Sequence, residues 1–341
     1  MKNQYYSFLV RIFRVKRKFI HEFAFGYLNS FTAMLTAQQL TSDAKINLEQ
    51  EKQLSKCHIY FICARPSFYF IDNTINHEKN ILSGEIGYKI DGKESKFHFE
   101  HNWILEDDAT DIICNYPFRE VISINNEGEE VTYISASFIA TLYSSKLGYY
   151  SDLSSYEVLY IGQAVGKNGS RNAVERLRSH SKLQKILAQT LYNKPDQEIM
   201  LFMYAFEHEQ VFSSLDGRSG LINDTDSDDK RFKFALKNHP NKNQAINIIE
   251  AALIRYFQPE YNEKFKESKI SPKLKALAKC YDLDMSGIIV EINTENLFYS
   301  LYSRKIKKNH HHIVKIDLVS HQQRLSFFRP TGFNVLPDII E

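Results

Sequence analysis

The sequence predicts an α+β fold, and three observations lead to that class. Between residues 57 and 141, short runs of β-branched and aromatic residues are separated by turn signals such as Asp91-Gly92. From residue 172 onward the apolar residues instead recur at helical spacing. After residue 271, segments of both kinds alternate over a short stretch. The chain therefore combines a strand-rich region with a helix-bearing region and a small mixed one.

At 341 residues the chain is longer than one ordinary domain. We divide it into a basic amphipathic N-terminal extension, a β-rich domain with an expected role in substrate recognition, a domain that carries the candidate site, and a small α/β C-terminal extension. Their ranges are 1–45, 46–140, 141–270 and 271–341.

Composition limits the classes of partner. The 43 Lys and Arg residues nearly balance the 41 Asp and Glu residues, so any nucleic-acid site must be a local basic patch. The four cysteines form no CxxC pair, which argues against a zinc knuckle and a disulfide framework and favours a reduced cytoplasmic setting. No apolar run is long enough to span a membrane, and we expect no membrane partner and no signal peptide.

The N-terminal residues 5 to 40 contain a dense basic run interleaved with apolar residues. On a helix this pattern gives one cationic and one apolar face, which could lie on a membrane surface or follow phosphates. The same pattern also fits a helix packed on its own domain, or an extension from an upstream start codon. The basic residues are Arg11, Arg14, Lys16, Arg17 and Lys18.

Six runs between residues 57 and 142 read as strands of the β-rich domain. Its aromatic residues, with Trp103, are expected in the core, although a base-stacking platform would use the same residue types. The runs are CHIYFIC, SFYFI, GEIGYKI, SKFHFE, REVISI and EVTYISASFIATL.

A strand, a glycine-rich loop and a helix follow between residues 156 and 192. The run 157–161 is rich in β-branched and aromatic residues and is closed by Gly162. The helix is expected to begin near residue 172, with Ser170 as its N-cap. Arg176 and His180 are four residues apart, so one continuous helix would place them on one face.

A second helix is predicted within residues 249–262, which read IEAALIRYFQPEYN. It carries Glu250 on the face opposite to its apolar residues, ends before Pro259, and is followed by Asn262.

These two stretches resemble the GIY-YIG nuclease superfamily over about residues 140 to 270. A strand ending in Tyr-Ile-Gly, a helix with Arg-x-x-x-His and a later helix with a glutamate before Pro and Asn occur in the order of that family. The resemblance implies a small antiparallel sheet flanked by helices. It also implies hydrolysis of phosphodiester bonds in DNA with a single divalent metal, Mg²⁺ or Mn²⁺.

By resemblance, the site residues take separate roles. Glu250 would bind the metal, and Arg176 would hold a phosphate oxygen. Tyr160 and a second tyrosine would position or deprotonate the attacking water, His180 would relay a proton or contact phosphate, and Asn262 would fix the geometry of the site. Further phosphate contacts are expected from Arg171, Arg178, Lys182 and Lys185.

The second tyrosine has two candidates. Gly148-Tyr149-Tyr150 precedes the Tyr-Ile-Gly strand at a distance that fits the family's hairpin, and we favour Tyr150. The alternative uses Thr141-Leu142-Tyr143 as the first strand, with Tyr143 in that role.

The remaining segments carry weaker signals. The acidic run within residues 208–240 lacks the Gly and Glu of a calcium-binding EF-hand, and we expect an inserted loop or flap there. Beyond residue 285, two strands with a helix at 295–305 between them are expected.

The leading hypothesis is a DNA endonuclease. The alternative is a catalytically inactive protein of the same family that serves as a nucleic-acid-binding or sensor module.

Overall fold

The computed structural model describes residues 21–40, 48–106, 108–147, 152–164, 173–178, 180–207, 209–215, 225–262 and 281–318. Its strands are β1 His21–Thr36, β2 Ile59–Pro66, β3 Phe68–Phe70, β4 Asn76–Glu78, β5 Ile81–Ile90, β6 Lys93–Asn102, β7 Ala109–Ile113, β8 Glu120–Asn125, β9 Glu130–Ser135, β10 Ser155–Gln163, β11 Gln197–Phe206, β12 Gln210–Leu215, β13 Gly287–Asn293, β14 Ser300–Tyr302 and β15 His311–Asp317. Its helices are α1 Leu48–Leu54, α2 Ala136–Leu147, α3 Ala173–Arg178, α4 Ser181–Asn193, α5 Thr225–Lys237 and α6 Lys242–Phe257.

One large mixed sheet dominates the molecule. Its strand order is β14-β10-β2-β11-β1-β13-β15, and β12 pairs with the first half of β1. The β10–β14 and β1–β13 pairs are parallel, whereas the other pairs in this sheet are antiparallel. The two ends of this sheet, β14 and β15, nearly meet. Leu301 in β14 forms a backbone bridge with Asn309, just before β15.

The predicted small antiparallel sheet flanked by helices is therefore wrong. The strands β10, β2 and β11 belong to a longer antiparallel run that includes β1, and the sheet continues through strands from both ends of the chain. The connecting element is β1, whose second half pairs with β11 and whose first half pairs with β12 and β13. These pairings join segments far apart in sequence, which local patterns do not reveal.

The helical interpretation of the N-terminal segment fails for residues 21–36. Phe23, Phe25 and Tyr27 alternate on the buried face of β1, which is the period of a strand. The basic residues 11–18 lie outside the described residues.

The two faces of the sheet pack against different helices. On β2, Phe61 and Cys63 belong to the core that contains the apolar side chains of α6. Their neighbours Tyr60 and Ile62 face the other way, into the core formed with α3 and α4. The sheet therefore lies between two helical layers, and Tyr60 is on the α3–α4 side.

The β-rich region, β3 to β9 with α2, is inserted between β2 and β10. Phe68, Phe70 and Phe99 are fully buried in its core, so they do not form an exposed base-stacking platform. The strand predicted to extend to residue 142 is instead helical from Ala136. Ala136, Ile139 and Ala140 face the core at helical spacing, a signal that the β-branched residues before them concealed.

The C-terminal strands are confirmed as β13 and β15, but the helix predicted at 295–305 is wrong. A single 3₁₀ turn, Glu295–Leu297, leads directly into β14 there. The predicted loop within 208–240 is also wrong for β12 and α5. On α5, the buried Asp228 side chain accepts a hydrogen bond from Arg231 at 2.9 Å. One carboxylate of the acidic run therefore has a structural role.

Lowering the pH is expected to destabilise the fold through His312. Its side chain is buried, its Nε2 lies 3.0 Å from the Asn309 carbonyl, and burial lowers its pKa to about 4. Since an unfolded histidine has a pKa near 6.5, this stabilisation is complete above pH 6.5 and is lost as the pH falls towards 4, by on the order of 3 kcal/mol.

The measurement is urea unfolding at pH 7 and pH 4.5. His312→Gln should be less stable than the parent at pH 7 and should lose less stability on acidification. His98→Gln, at an exposed position on β6, is the control. An equal acid response of the parent and His312→Gln would contradict the assignment.

Among the described residues, no helix combines the length and hydropathy required to cross a membrane.

Candidate active site

Two tyrosines meet on neighbouring central strands. In the antiparallel β2–β10 pair, Tyr60 lies opposite Gly162, and Tyr160 lies opposite Ile62. Both tyrosine side chains belong to the core on the α3–α4 side, and their ring centroids are 6.2 Å apart. The sheet register therefore brings together the Tyr-Ile-Gly strand and a tyrosine that sequence analysis did not select.

Gly162 makes room for the Tyr60 ring. A Cβ atom at residue 162 would lie 2.5 Å from the Tyr60 hydroxyl oxygen and 2.8 Å from Cε1 of Tyr160. No side-chain carbon approaches another group so closely, so only glycine permits this packing.

We expect Gly162→Ala to lower the free energy of unfolding by about 1–3 kcal/mol, because the added methyl group must displace a buried ring. Urea denaturation measures this loss. Gly287→Ala is the matched control, since its Cβ would meet nothing nearer than 3.3 Å. Equal losses in the two variants would contradict the close contact at Gly162.

His180 joins the tyrosine pair from the boundary between two helices. Its Nε2 lies 3.2 Å from the Tyr60 hydroxyl oxygen, and its ring centroid lies 5.5 Å from that of Tyr160. The single helix predicted from residue 172 is wrong, because α3 ends at Arg178 and His180 is the N-cap residue of α4. Arg176 and His180 thus do not share a helix face, yet both reach Tyr60.

Arg176 supplies the positive charge beside the tyrosines. Burial raises the pKa of Tyr60 well above its ordinary value and that of Tyr160 to about 12. The Arg176 guanidinium opposes this increase in both tyrosines and is close enough to hydrogen bond Tyr60. Both phenols are therefore neutral at physiological pH and act first as hydrogen-bond donors.

Glu250 approaches from the other helical layer. Its helix, α6, begins with a capping box in which Asn241 and Gln244 satisfy each other's backbone groups. The Glu250 side chain is buried, and its charge raises the pKa of both Tyr60 and Tyr160. The carboxylate accepts a hydrogen bond from Gln163, the last residue of β10, so Glu250 contacts the end of the strand that carries Tyr160.

Asn262 holds the Tyr-Ile-Gly strand. Its Oδ1 accepts from the Ile161 N–H and its Nδ2 donates to the Ile161 carbonyl, both at 2.8 Å. The side chain replaces a neighbouring strand at this residue. Asn262 therefore positions the backbone between Tyr160 and Gly162.

The predicted phosphate-contacting residues lie around α3 and α4. Arg178 is exposed, and its Nε donates to the Leu40 carbonyl at 3.2 Å. Lys182 is half-buried on α4, and Lys185 is exposed. Arg171 and the favoured first tyrosine, Tyr150, lie outside the described residues, as does Tyr149.

The alternative first tyrosine is placed elsewhere. Tyr143 lies in α2, not in a strand, and its hydroxyl hydrogen bonds the backbone of Glu100 on β6. Among the described residues, the tyrosine whose ring lies near that of Tyr160 is Tyr60. The signal was available as His58-Ile59-Tyr60 in a predicted strand, but Tyr60 and His180 are 120 residues apart.

The donor set fits a hydrated magnesium ion. Within the part of the chain that the structure describes, no three His, Cys, Asp or Glu side chains gather around one point, so a dense protein cage is not formed there. Mg²⁺ is usually held by one or two carboxylates together with waters and substrate phosphates. Glu250, whose charge acts on both tyrosine hydroxyls, provides a carboxylate of that kind.

Comparison with protein-family models, curated proteins and solved structures finds no match to this chain.

Proposed function

We propose that the chain is a metal-dependent endonuclease that hydrolyses phosphodiester bonds in DNA, using a GIY-YIG-type active site carried on a larger sheet. The observation that supports this most strongly is the convergence of five side chains from separate segments. They are Tyr60, Tyr160, Arg176, His180 and Glu250. In this proposal, His58-Ile59-Tyr60 takes the place of the family's first motif.

Arg176 has the chemistry to bind the scissile phosphate. A guanidinium is always charged and presents a planar set of donors that matches phosphate oxygens. Its position beside the two phenol groups places this charge where a pentacoordinate phosphate would gain negative charge.

Proton transfer from the attacking water runs through Tyr60 and His180. With pKa values raised by burial, the phenols are poor bases on their own. In this proposal, Nε2 of His180, 3.2 Å from the Tyr60 hydroxyl oxygen, accepts the Tyr60 proton as Tyr60 receives one from water. Tyr160 then orients the water by hydrogen bonding.

Glu250 would hold the divalent cation, most simply Mg²⁺, together with water and phosphate oxygens. When bound, such an ion stabilises negative charge on phosphate oxygens and lowers the pKa of water. Asn262 keeps the strand of Tyr160 in register with this carboxylate through its two hydrogen bonds to Ile161.

The DNA backbone would lie along α3 and α4, where Arg178, Lys182 and Lys185 extend the charge of Arg176.

The free thiols of Cys57, Cys63 and Cys114 fit a reducing compartment, so we place the enzyme in the cytoplasm.

The test is cleavage of supercoiled plasmid, single-stranded DNA and RNA with Mg²⁺ or Mn²⁺. The intact chain should nick DNA only with metal, and Glu250→Gln should abolish nicking while it preserves the fold. Glu260→Gln, which removes only an exposed ion pair with Arg304, should cleave normally.

Nucleic-acid binding without cleavage, unchanged by Glu250→Gln, would overturn the enzymatic assignment and favour the binding or sensor module. Cleavage of RNA but not DNA would mean that the substrate is RNA, not DNA.

A further inference from the structure

The side-chain amide of Gln163 joins the candidate metal-binding carboxylate to the body of α6. Gln163 is the last residue of β10 and is buried. Its Nε2 donates to Oε2 of Glu250 and also to Oδ1 of Asn247, the latter at 2.7 Å. One amide nitrogen thus uses both of its hydrogens on two residues of a single helix.

The orientation of this amide is fixed by its partners. Asn247 donates from Nδ2 to the Asn243 carbonyl at 2.8 Å, one helical turn earlier, so its Oδ1 must face Gln163. A carboxylate oxygen and an amide oxygen can only accept hydrogen bonds, and the group that faces them must therefore be Nε2. Rotating the Gln163 amide would break both bonds in a buried site, which is costly.

The Glu250 carboxylate is restrained by the same network. It is only 7% exposed, and Gln163 and Asn247 beside it are 6% and 9% exposed. A hydrogen bond from a group that cannot rotate holds Oε2 in one direction, and the carboxylate then meets a cation without first losing rotamer freedom.

We infer that Gln163 is a positioning residue that orients the Glu250 carboxylate for binding a divalent cation, with Asn247 holding Gln163 in turn. The inference rests on the proposed function for the identity of the ligand. Residues that orient a ligand in this way typically contribute about 10–100-fold to metal affinity.

The experiment measures binding of Mn²⁺ alone to the full chain, without nucleic acid, from the loss of the electron paramagnetic resonance signal of free Mn²⁺. Gln163→Met keeps most of the side-chain volume and removes the donor, and it should raise the dissociation constant at least about 10-fold. Asn247→Ala should raise it by a smaller factor. Gln184→Met, at an exposed position on α4, should leave it unchanged.

A double-substitution cycle separates positioning from a general structural effect. If Gln163 acts through Glu250, Gln163→Met should cause no further loss of Mn²⁺ affinity in the Glu250→Gln background. Circular dichroism and urea unfolding identify any variant that fails to fold, and Asn247→Ala then provides the decisive comparison.

An unchanged dissociation constant in folded Gln163→Met, a further loss in the Glu250→Gln background, or no Mn²⁺ binding by the parent chain would overturn the inference. Cleavage assays on the same proteins distinguish it from the proposed function. Mn²⁺ binding that depends on Gln163, in a chain that never cuts nucleic acid, would refute the nuclease and retain the positioning role. Cleavage of nucleic acid that is unaffected by Gln163→Met would retain the nuclease and refute the positioning role of Gln163.

Discussion

Tyr60→Phe is expected to lower the rate of DNA cleavage by about 10²–10⁴-fold, because in the proposed mechanism the proton reaches His180 through the Tyr60 hydroxyl group. The ring remains, with its contacts to Tyr160 and His180 and its place beside Gly162. The free energy of unfolding should fall by no more than about 1–3 kcal/mol, the cost of leaving a buried partner unsatisfied. Plasmid nicking at saturating Mg²⁺ measures the rate.

Two other tyrosines serve as controls. Tyr143→Phe removes a hydroxyl that bonds the Glu100 backbone, away from the candidate site, and it should cleave like the parent. Tyr150→Phe tests the candidate favoured by the sequence. If Tyr150→Phe abolishes cleavage and Tyr60→Phe does not, the role given to Tyr60 is wrong.

Arg65→Met is expected to lower the free energy of unfolding by about 3–5 kcal/mol, because it leaves the half-buried Glu198 carboxylate without its charge partner and the buried Tyr156 hydroxyl without its donor. The Arg65 side chain is fully buried, and its Nε lies 2.6 Å from Oε1 of Glu198. Its other nitrogens donate to the Tyr156 hydroxyl at 2.8 Å and to the Ser137 carbonyl of α2 at 2.9 Å. Urea denaturation measures this loss, and the dependence of the unfolding free energy on urea concentration should be the same in parent and variant.

The chain contains a matched surface pair. Arg304 and Glu260 are also 2.6 Å apart, but both side chains are exposed, and Arg304→Met should cost no more than about 1 kcal/mol. Adding Glu198→Gln to Arg65→Met should restore part of the loss, since no unpaired carboxylate then remains at this half-buried position. Similar small losses for Arg65→Met and Arg304→Met would mean that burial does not strengthen the Arg65 contacts.

Local sequence patterns predicted the elements whose residues are contiguous. The strand that contains Tyr160, the helix of Glu250 and the two C-terminal strands follow from periodicity and, for the first two, from a glycine or proline near their ends. The large sheet could not be predicted this way, because β1 finds its partners near residues 200, 212 and 288. Nothing within residues 21–36 identifies those partners.

The candidate site shows the same limit. Tyr160, Arg176, His180 and Glu250 were selected because their order and spacing resemble the GIY-YIG motifs, and their chemistry stays a prediction. Tyr60 was missed because the β-rich insertion separates its strand from β10, and adjacency in space is set by the β2–β10 register. Gln163 was missed because a glutamine after a strand carries no signal until its partner on α6 is known.

The β2–β10 pairing also determines when the site can form during synthesis. Tyr60 leaves the ribosome first, but its neighbouring strand follows only after the whole β-rich insertion, and Glu250 follows later still. Domains fold as their residues emerge, at about 5–20 residues per second. A nascent or prematurely terminated chain that stops before α6 thus contains both tyrosines without the carboxylate, and the five-residue site can assemble only on a chain that has passed residue 250.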